Sequence, residues 1–468
     1  MDAMGNIQAL VKALEAGGYD AAPSKLTQGA ALQVEDLSPV MVNVTFEDKH
    51  IILQKMLSKK TCKSTLAQFD RQLSYGIFGG SAQLEGHIGQ EETSDYVRIT
   101  VPMAFYSHTR RVTLVSTMVD TVDGMKSDER AAADAAKKLA GDIEFDLFRG
   151  KADFTNSGVF DGHPAFIPTL PNMFSIDVQI RQSDGQRNSH DLMFAEYGSD
   201  DSVIISGGGT LTQDNIEDAH VRSLMAFGNA ERLVVDPKVL SAYNKLSYGK
   251  ERIILAGSAQ DNTAADLRKQ FVSNGVVNVE ASRFLSGKTQ SAPTRANGPA
   301  APASVTPTAQ VVAGVTTAFV QGNAFYYYVT AGSEIGESGK TLASVLTFGA
   351  GDDGKGVRVR IAKPITGTWR FFNVYRSPAG GTMATAKFIG RVIDSGAATT
   401  DFWDLGNRIP AFVTGLLLDK ESGSIKELAP YSRLKLAVTE LSQPEAHFRF
   451  LTLCVEQPRR NAIIENLR

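Results

Sequence analysis

Residues 291–307 read SAPTRANGPAAPASVTP and carry Pro293, Pro299, Pro302 and Pro307, well past the middle of a chain of 468 residues. Proline fixes φ and brings no backbone donor, so the stretch predicts an extended linker, outside any helix or sheet interior. Before it the apolar pattern mixes helical and strand periods. After it, as far as about Pro410, the pattern is all strand, and a short mixed segment ends the chain. The expected class is α+β, with an all-β module inserted into a larger domain. A domain that accepts such a guest and shows no catalytic constellation reads as a scaffold, not an enzyme.

Composition narrows the class further. At 43% apolar and 21% charged residues the chain has material for two or more cores, so it needs no disulfide framework. Its two cysteines, Cys62 and Cys454, lie far apart in sequence and make no cysteine-based zinc site alone. The opening residues MDAMGNIQALVKALEAGG place Asp2 where a secretory signal carries positive charge, and no stretch approaches the ~20 apolar residues of a membrane span. A soluble protein with no membrane partner is expected. The net charge of −3 and pI near 6.2 give no basic field for gripping duplex DNA. Any nucleic acid it meets would be contained.

Working outward from the linker, Ile7 to Ala16 has helical spacing and stops at Gly17 and Gly18. From Leu26 to Leu73 the apolar runs are brief and would pack on something else. Glycines thicken from Gly76 to Gly89, and YVRITVPMAFYS and RRVTLVSTMVD then alternate on either side of His108 and Thr109, predicting a long glycine-flanked β-hairpin. Between Ser127 and Gly150 the sequence predicts a helix. Ser127 is placed to cap it, Asp128 and Glu129 suit its positive start, and Ala132, Ala136, Leu139, Ile143 and Leu147 form a stripe. At 1.5 Å per residue that is a rod of about 33 Å. A second helix opens at Thr212, with Ile216, Leu224 and Phe227 among its apolar positions and Gly228 as its stop. Within the module, strands are expected at 324–331, 341–348, 357–362, 369–377, 386–393 and 399–405. Short strands at this spacing suggest a two-sheet sandwich with a core of Tyr326 or Tyr327, Val359, Trp369, Val374 and Phe388.

Stretches that invite a chemical reading fail on their context. GSEIGESGKT at 332–341 has Glu334 where a phosphate loop needs glycine, and the residues after it alternate like a strand. SGKT at 286–289 has Ser282 in place of the leading glycine. Gly207 to Gly209 precede a capped helix and read as a loop. The seven histidines are scattered, Asp200-Asp201 and Asp352-Asp353 sit in glycine-rich turns, and no serine occupies a G-x-S-x-G elbow. No catalytic, metal or cofactor site is expected.

The order of parts resembles the major capsid proteins of tailed bacteriophages: an arm, a long hairpin, a helix ending in LFRG, FDGHPAFIP at 160–168, the capped LTQDNIEDA, and a tail of ELAPYSRLKLAVTE with FRFLTLCVEQPRRNAIIENLR. The tyrosine-rich strand with its GES turn and NVYRS resemble immunoglobulin-like or fibronectin-type modules, as some large myovirus capsids carry. The resemblance implies a Hong Kong 97-type fold. It divides the chain into an N-terminal arm (1–75), an extended loop (76–120), a peripheral domain (121–159) with a spine helix (127–150), an axial domain (160–292), the insert (293–411) and a return to the body (412–468). It also implies pentamers and hexamers in an icosahedral shell around double-stranded DNA, with portal, scaffolding and decoration proteins as partners and assembly in the host cytoplasm. An arm and hairpin bury little against their own chain, so Phe78, Leu84, Ile88, Val97, Ile99 and Phe105 are the expected subunit contacts, and glycines near the hairpin base would supply freedom for differing geometries. The insert is expected to project outward and to be dispensable for folding of the body. The alternative is a phage or bacterial surface protein whose module binds a carbohydrate or protein on Tyr326, Tyr327, Phe371 and Trp403.

Overall fold

A computed structural model describes residues 47–76, 81–89, 91–118, 126–150, 173–181, 203–246, 269–285, 299–314, 317–333, 336–343, 345–410, 412–438 and 441–468. The expected helix at 7–16 and the motif at 160–168 lie outside the described residues. Strands β1 (Ser58–Thr61), β2 (Leu66–Ser74), β3 (Asp95–Pro102) and β4 (Ala104–Thr113) precede the long helix Ser127–Arg149. Then come β5 (Val203–Ile205), a helix Gln213–Met225, β6 (Arg232–Val235), a helix Pro237–Leu246, β7 (Lys269–Val272) and β8 (Gly275–Ala281). The module supplies β9 (Ser304–Gln310), β10 (Ala324–Phe325), β11 (Tyr327–Ser333), β12 (Gly336–Glu337), β13 (Thr341–Leu342), β14 (Leu346–Thr347), β15 (Gly356–Ala362), β16 (Phe371–Arg376), β17 (Lys387–Ile393) and β18 (Thr399–Asp404). The chain closes with β19 (Val413–Leu418), β20 (Gly423–Lys435), β21 (Ser442–Val455) and β22 (Ala462–Leu467). The content is mixed α and β.

The long helix follows its sequence signals, with a shifted start. Lys126 takes the N-cap position without a side-chain bond, and Ser127 is the first helical residue. Gly150 ends it, its N–H bonded to Asp146 O at 2.7 Å, and a side chain there would collide with Met173 O. The buried stripe runs through Ala135, Leu139, Ile143 and Leu147, so Ala132 and Ala136 lie at its margin. Ile143, Leu147 and Phe148 join Ile425, Leu451 and Leu453 in one core, between the helix and a sheet of order β1-β20-β21-β4. Each such side chain contributes about 1.5–3 kcal/mol by leaving water.

A second sheet, of order β5-β22-β19-β6-β8-β7, has two covered faces. Val234, Leu416 and Ile463 point into the core of the long helix, while their neighbours Leu233, Val235, Leu417 and Ile464 pack with Ile216, Val239 and Tyr243 of the two shorter helices. Alternation with period two on strands buried on both sides gives runs such as RLVV and AII. Thr212 caps its helix by accepting from Asn215 N at 3.2 Å. Phe227 is not part of that helix's apolar face: it adopts φ 59° beyond the helix end and is 88% exposed.

The expected hairpin exists with different arms. β3 pairs antiparallel with β2, from Leu66 opposite Pro102 to Ser74 opposite Asp95. β4 runs straight through His108 and Thr109 to Thr113 and pairs with β21, so the expected second arm at 110–120 divides between the end of β4 and a short helix, Leu114–Met118. Gly76, Gly86 and Gly89 therefore lie in the connection at the tip, not at the base; Gly76 and Gly86 take φ of 119° and 88°, values that favour glycine. The apolar alternation continues through 96–113, and only Pro102, the last residue of β3, marks the place where the chain passes from one sheet into another.

The module is interposed between β8 and β19, which flank β6 in the same sheet, so the chain leaves and re-enters the body one strand apart. One of its sheets has the order β12-β11-β16-β17, with β13 also on β11, a second has the order β18-β15-β9, and β10 and β14 pair separately. Tyr327, Val359 and Val374 meet in their shared core, Trp369 packs at its border, and Phe388 joins Tyr375 and Phe412 in a smaller cluster. The final proline of the linker is not linker: Pro307 lies in β9, opposite Val359. β9 is an edge strand, the position in a sheet where a missing donor is tolerated.

One carboxylate of the long helix titrates near neutrality. Tyr106 of β4 donates to Asp146 Oδ2 at 2.7 Å. Burial pushes the Asp146 carboxyl up to about 7, opposed by that hydrogen bond and reinforced by Asp142. A raised folded-state value means that stability from this group is complete below about pH 4 and is lost as pH rises through about 7. Asp146→Asn, which can still accept from Tyr106, should raise stability at pH 8 by roughly 1–2 kcal/mol and flatten the decline between pH 5 and 8. Urea unfolding across that range measures both.

Candidate assembly surface

The hairpin is anchored at its base and bare at its tip. Ala67 of β2 and Ile99 and Val101 of β3 are buried with Met103, Phe174 and Cys454. Arg71 reaches across to β21, its Nε donating to Glu456 O at 2.8 Å and Nη2 to Val455 O at 3.1 Å. Burial, helped by Arg459, lowers the Arg71 guanidinium to about 10, where it remains protonated at neutral pH. A groove of about 420 Å³ runs between β2 and Glu456-Gln457. β2 pairs with β3 alone, so its other edge is unpaired by any described strand.

The six expected contact residues divide. Phe78 lies outside the described residues. Leu84 is 77% and Ile88 95% exposed, in the connection between the strands. Val97 is half-buried, and Ile99 is 3% exposed inside the anchoring cluster. The premise of an unsupported apolar side chain is thus corrected for Ile99: its own chain covers it, because β3 lies over Phe174 and Cys454. Phe105 is 48% exposed and meets Phe450 edge-on, with ring centroids 5.1 Å apart. Two further exposed groups were not anticipated. Tyr75 and Tyr96 flank the tip, and Leu114, Met118, Leu436, Val438 and Leu441 gather where the Leu114–Met118 helix meets the end of the β20–β21 hairpin, Leu114 N donating to Leu441 O at 2.9 Å. Only exposure separates such residues from core, and sequence spacing does not report it.

A buried polar network fastens the N-terminal segment to this frame. Glu144, on the long helix and fully buried, accepts from the backbone N–H groups of Ile52, Leu53 and Gln54 at 2.8, 2.7 and 3.2 Å and from Gln54 Nε2 at 3.1 Å. Burial raises its carboxyl, and those four bonds oppose the rise. It satisfies the amides that open the short helix Leu53–Met56, a task usually left to a local cap. Gln54 Oε1 in turn accepts from Arg449 Nη1 at 2.8 Å, and Arg449 pairs with Glu427. The acidic residue lies some ninety positions from the amides it caps, so no local motif announces it.

Chemical candidates resolve into structure. Within GSEIGESGKT, β12 folds back on β11 with Ser333 opposite Gly336, and Lys340 lies over the Tyr328 ring. Gly209 O accepts from Arg468 N at 2.9 Å. Asp352 holds its own turn through Gly349 N and Lys355. Folding does bring His108 opposite His447 across β4 and β21, where Tyr431 meets His447 Nδ1 at 2.9 Å; burial and nearby cations hold both imidazoles below their usual range. Among the described residues no cluster of His, Cys, Asp or Glu could hold a metal, and no helix is long and apolar enough to cross a membrane. Tyr327 and Phe371 are buried in the module while Trp403 is exposed, so the four aromatics proposed as a binding platform do not form one.

No protein-family model matches the chain. It is 22% identical over 463 residues to the major capsid protein of Staphylococcus phage K, covering 96% of this chain and 93% of that protein, and has the same identity and cover with the major capsid protein of Staphylococcus phage S25-3. Its backbone also resembles the capsid of Cyanophage P-SCSP1u, at 9% identity over 96% of each chain with a TM-score of 0.45.

Glu144→Gln turns an amide donor toward the N–H groups the carboxylate now accepts from. Loss of about 2–4 kcal/mol in urea unfolding is expected, with faster proteolysis of residues 47–57. Unchanged cleavage there would show that the segment is held by its apolar contacts alone.

Proposed function

We infer that this chain is a structural capsid protein, copies of which build the shell of a tailed phage. Similarity to major capsid proteins over 96% of the chain, body and module alike, carries this reading. The fold is of the Hong Kong 97 type, with β2, β3 and their connection as the extended loop. The long helix and four-stranded sheet form the peripheral domain, the six-stranded sheet and its two helices the axial domain, and residues 293–411 an immunoglobulin-like module on the outer surface. Subunits associate as pentamers and hexamers of an icosahedral shell. Double-stranded DNA is enclosed without sequence-specific contact, and portal, scaffolding and decoration proteins complete a particle assembled in the host cytoplasm. No residue is assigned a bond-making step.

The physics of assembly follows from the divided hairpin. Leu84 and Ile88 cost the isolated subunit exposed apolar area that a neighbouring copy would cover. Many such contacts, repeated around the shell, make association cooperative even where each is small. Carboxylates separate this role from folding. Ile88→Asp should leave the subunit's unfolding midpoint unchanged and abolish closed shells in electron micrographs, and Phe105→Asp should act in the same direction. Ile99→Asp should instead unfold the subunit, because it buries an unpaired charge. Normal shells from Ile88→Asp would remove the hairpin tip from the interface.

A further inference from the structure

Where the module rejoins the body, the chain is gripped by charges. Arg181, on the helix Ile176–Arg181, and Glu465 of β22 are fully buried and 3.0 Å apart, and Arg181 also meets Asp177 at 3.1 Å. The other Glu465 oxygen lies 3.4 Å from Arg408 Nη2, on the module's exit segment. Arg408 Nη1 donates to Ile389 O of β17 at 3.0 Å, and its own carbonyl accepts from Arg376, which pairs with Asp404, itself the acceptor of the Tyr327 hydroxyl at 2.9 Å. Three carboxylates and three guanidinium groups thus form a neutral chain from the body's last strand into the module's core.

The backbone is shaped around this chain. A side chain at Gly390 would come within 2.7 Å of Arg408 Nη1, so glycine leaves the guanidinium its path. Asn466, at φ 66°, uses its amide to bond Asn407 O and Ser206 O and accepts from Ile409 N, holding the exit segment from the body side. Phe412 then packs with Tyr375 and Phe388 of the module.

We propose that this charge chain is a mounting joint that locks the inserted module to the C-terminal strand, so that module and body fold as one cooperative unit and the module projects in a fixed direction. A guest tethered by loops alone would unfold independently of its host. Removing Arg408 leaves Asp177, Arg181 and Glu465 with an uncompensated negative charge in a dry site, whereas removing Arg408 and Glu465 together leaves it neutral.

The protein's two tryptophans, Trp369 and Trp403, both lie in the module, and Cys454 is buried in the body. Tryptophan fluorescence and Cys454 labelling in a Cys62→Ser background therefore follow the two parts separately during urea unfolding of the unassembled full chain. The transitions should coincide in the parent. Glu465→Gln, a change in the body, should raise the fraction of unfolded module at fixed urea about tenfold, and Arg408→Met, a change in the module, should likewise expose Cys454. The paired variant should lose less than the two single losses combined. Separate transitions in the parent, or a tryptophan midpoint unmoved by Glu465→Gln, would overturn the joint. Should neither single variant fold, the neutral paired variant must give separated transitions, and coincident ones would overturn it equally.

Discussion

The last stretch of chain supplies the inner strands of both body sheets. β20 and β21 are the central pair of the four-stranded sheet, and β19 and β22 are interior to the six-stranded one. Until residues 413–467 arrive, the long helix has no Leu451 or Leu453 to pack on, and β6 lacks the neighbour that completes its ladder. The body's core is therefore assembled from contacts of large sequence separation, which cost loop-closure entropy before they return any stability. Deep burial of apolar strands on both faces of the six-stranded sheet is what meets that cost.

This constraint explains how a module can sit in the middle of the chain. If residues 304–404 were an unstructured loop between β8 and β19, closing the sheet would carry the entropy of the whole segment. Folded on its own core of Tyr327, Val359 and Val374, the segment closes the gap as a compact object instead. Buried ion pairs add little net stability, since desolvation offsets their attraction, but they punish misplacement heavily. A joint made of Arg408 and Glu465 therefore specifies one orientation of the module where an apolar seam would tolerate several.

What the sequence disclosed follows the same division between local and distant causes. The long helix, the capped helix at Thr212 and module strands such as β15 to β18 are readable because each rests on residues within a few positions of one another: Asp128 and Glu129 at a helix start, Gly150 at its end, Thr212 beside Asn215. The single strand expected at 341–348 divides instead into β13 and β14, which pair with β11 and β10. The hairpin's arms differ from the expectation because alternation through Tyr96 to Thr113 is shared by two strands that belong to different sheets, and Pro102, the one local sign of the change, sits within that alternation without interrupting it. Pro307 looked like linker because proline's local preference is silent about edge strands. Glu144, Arg181 and Glu465 left no trace at all, since a charged residue that caps a helix ninety positions away has the same local context as one facing solvent. The likeness to capsid proteins lay in the order of parts, which survives at 22% identity when individual motifs do not.

The distribution of exposure along the hairpin carries the remaining step. Its base is held by Ile99 and Val101 in an apolar cluster and by Arg71 on the carbonyls of β21, whereas its connection holds Leu84 and Ile88 in water beside glycines with positive φ. On the proposed capsid reading, a base held in this way would fix the direction in which the ribbon leaves the body, and the connection with its positive-φ glycines would let the same apolar side chains meet partners set at somewhat different angles. Reversing the arrangement would fail on both counts, because a loose base would dissipate direction and a rigid tip would fit one geometry only. Identical chains occupying inequivalent positions in one closed surface, as the proposed shell requires, would be served by such a gradient, set by which hydrophobic residues the chain covers for itself and which it leaves bare.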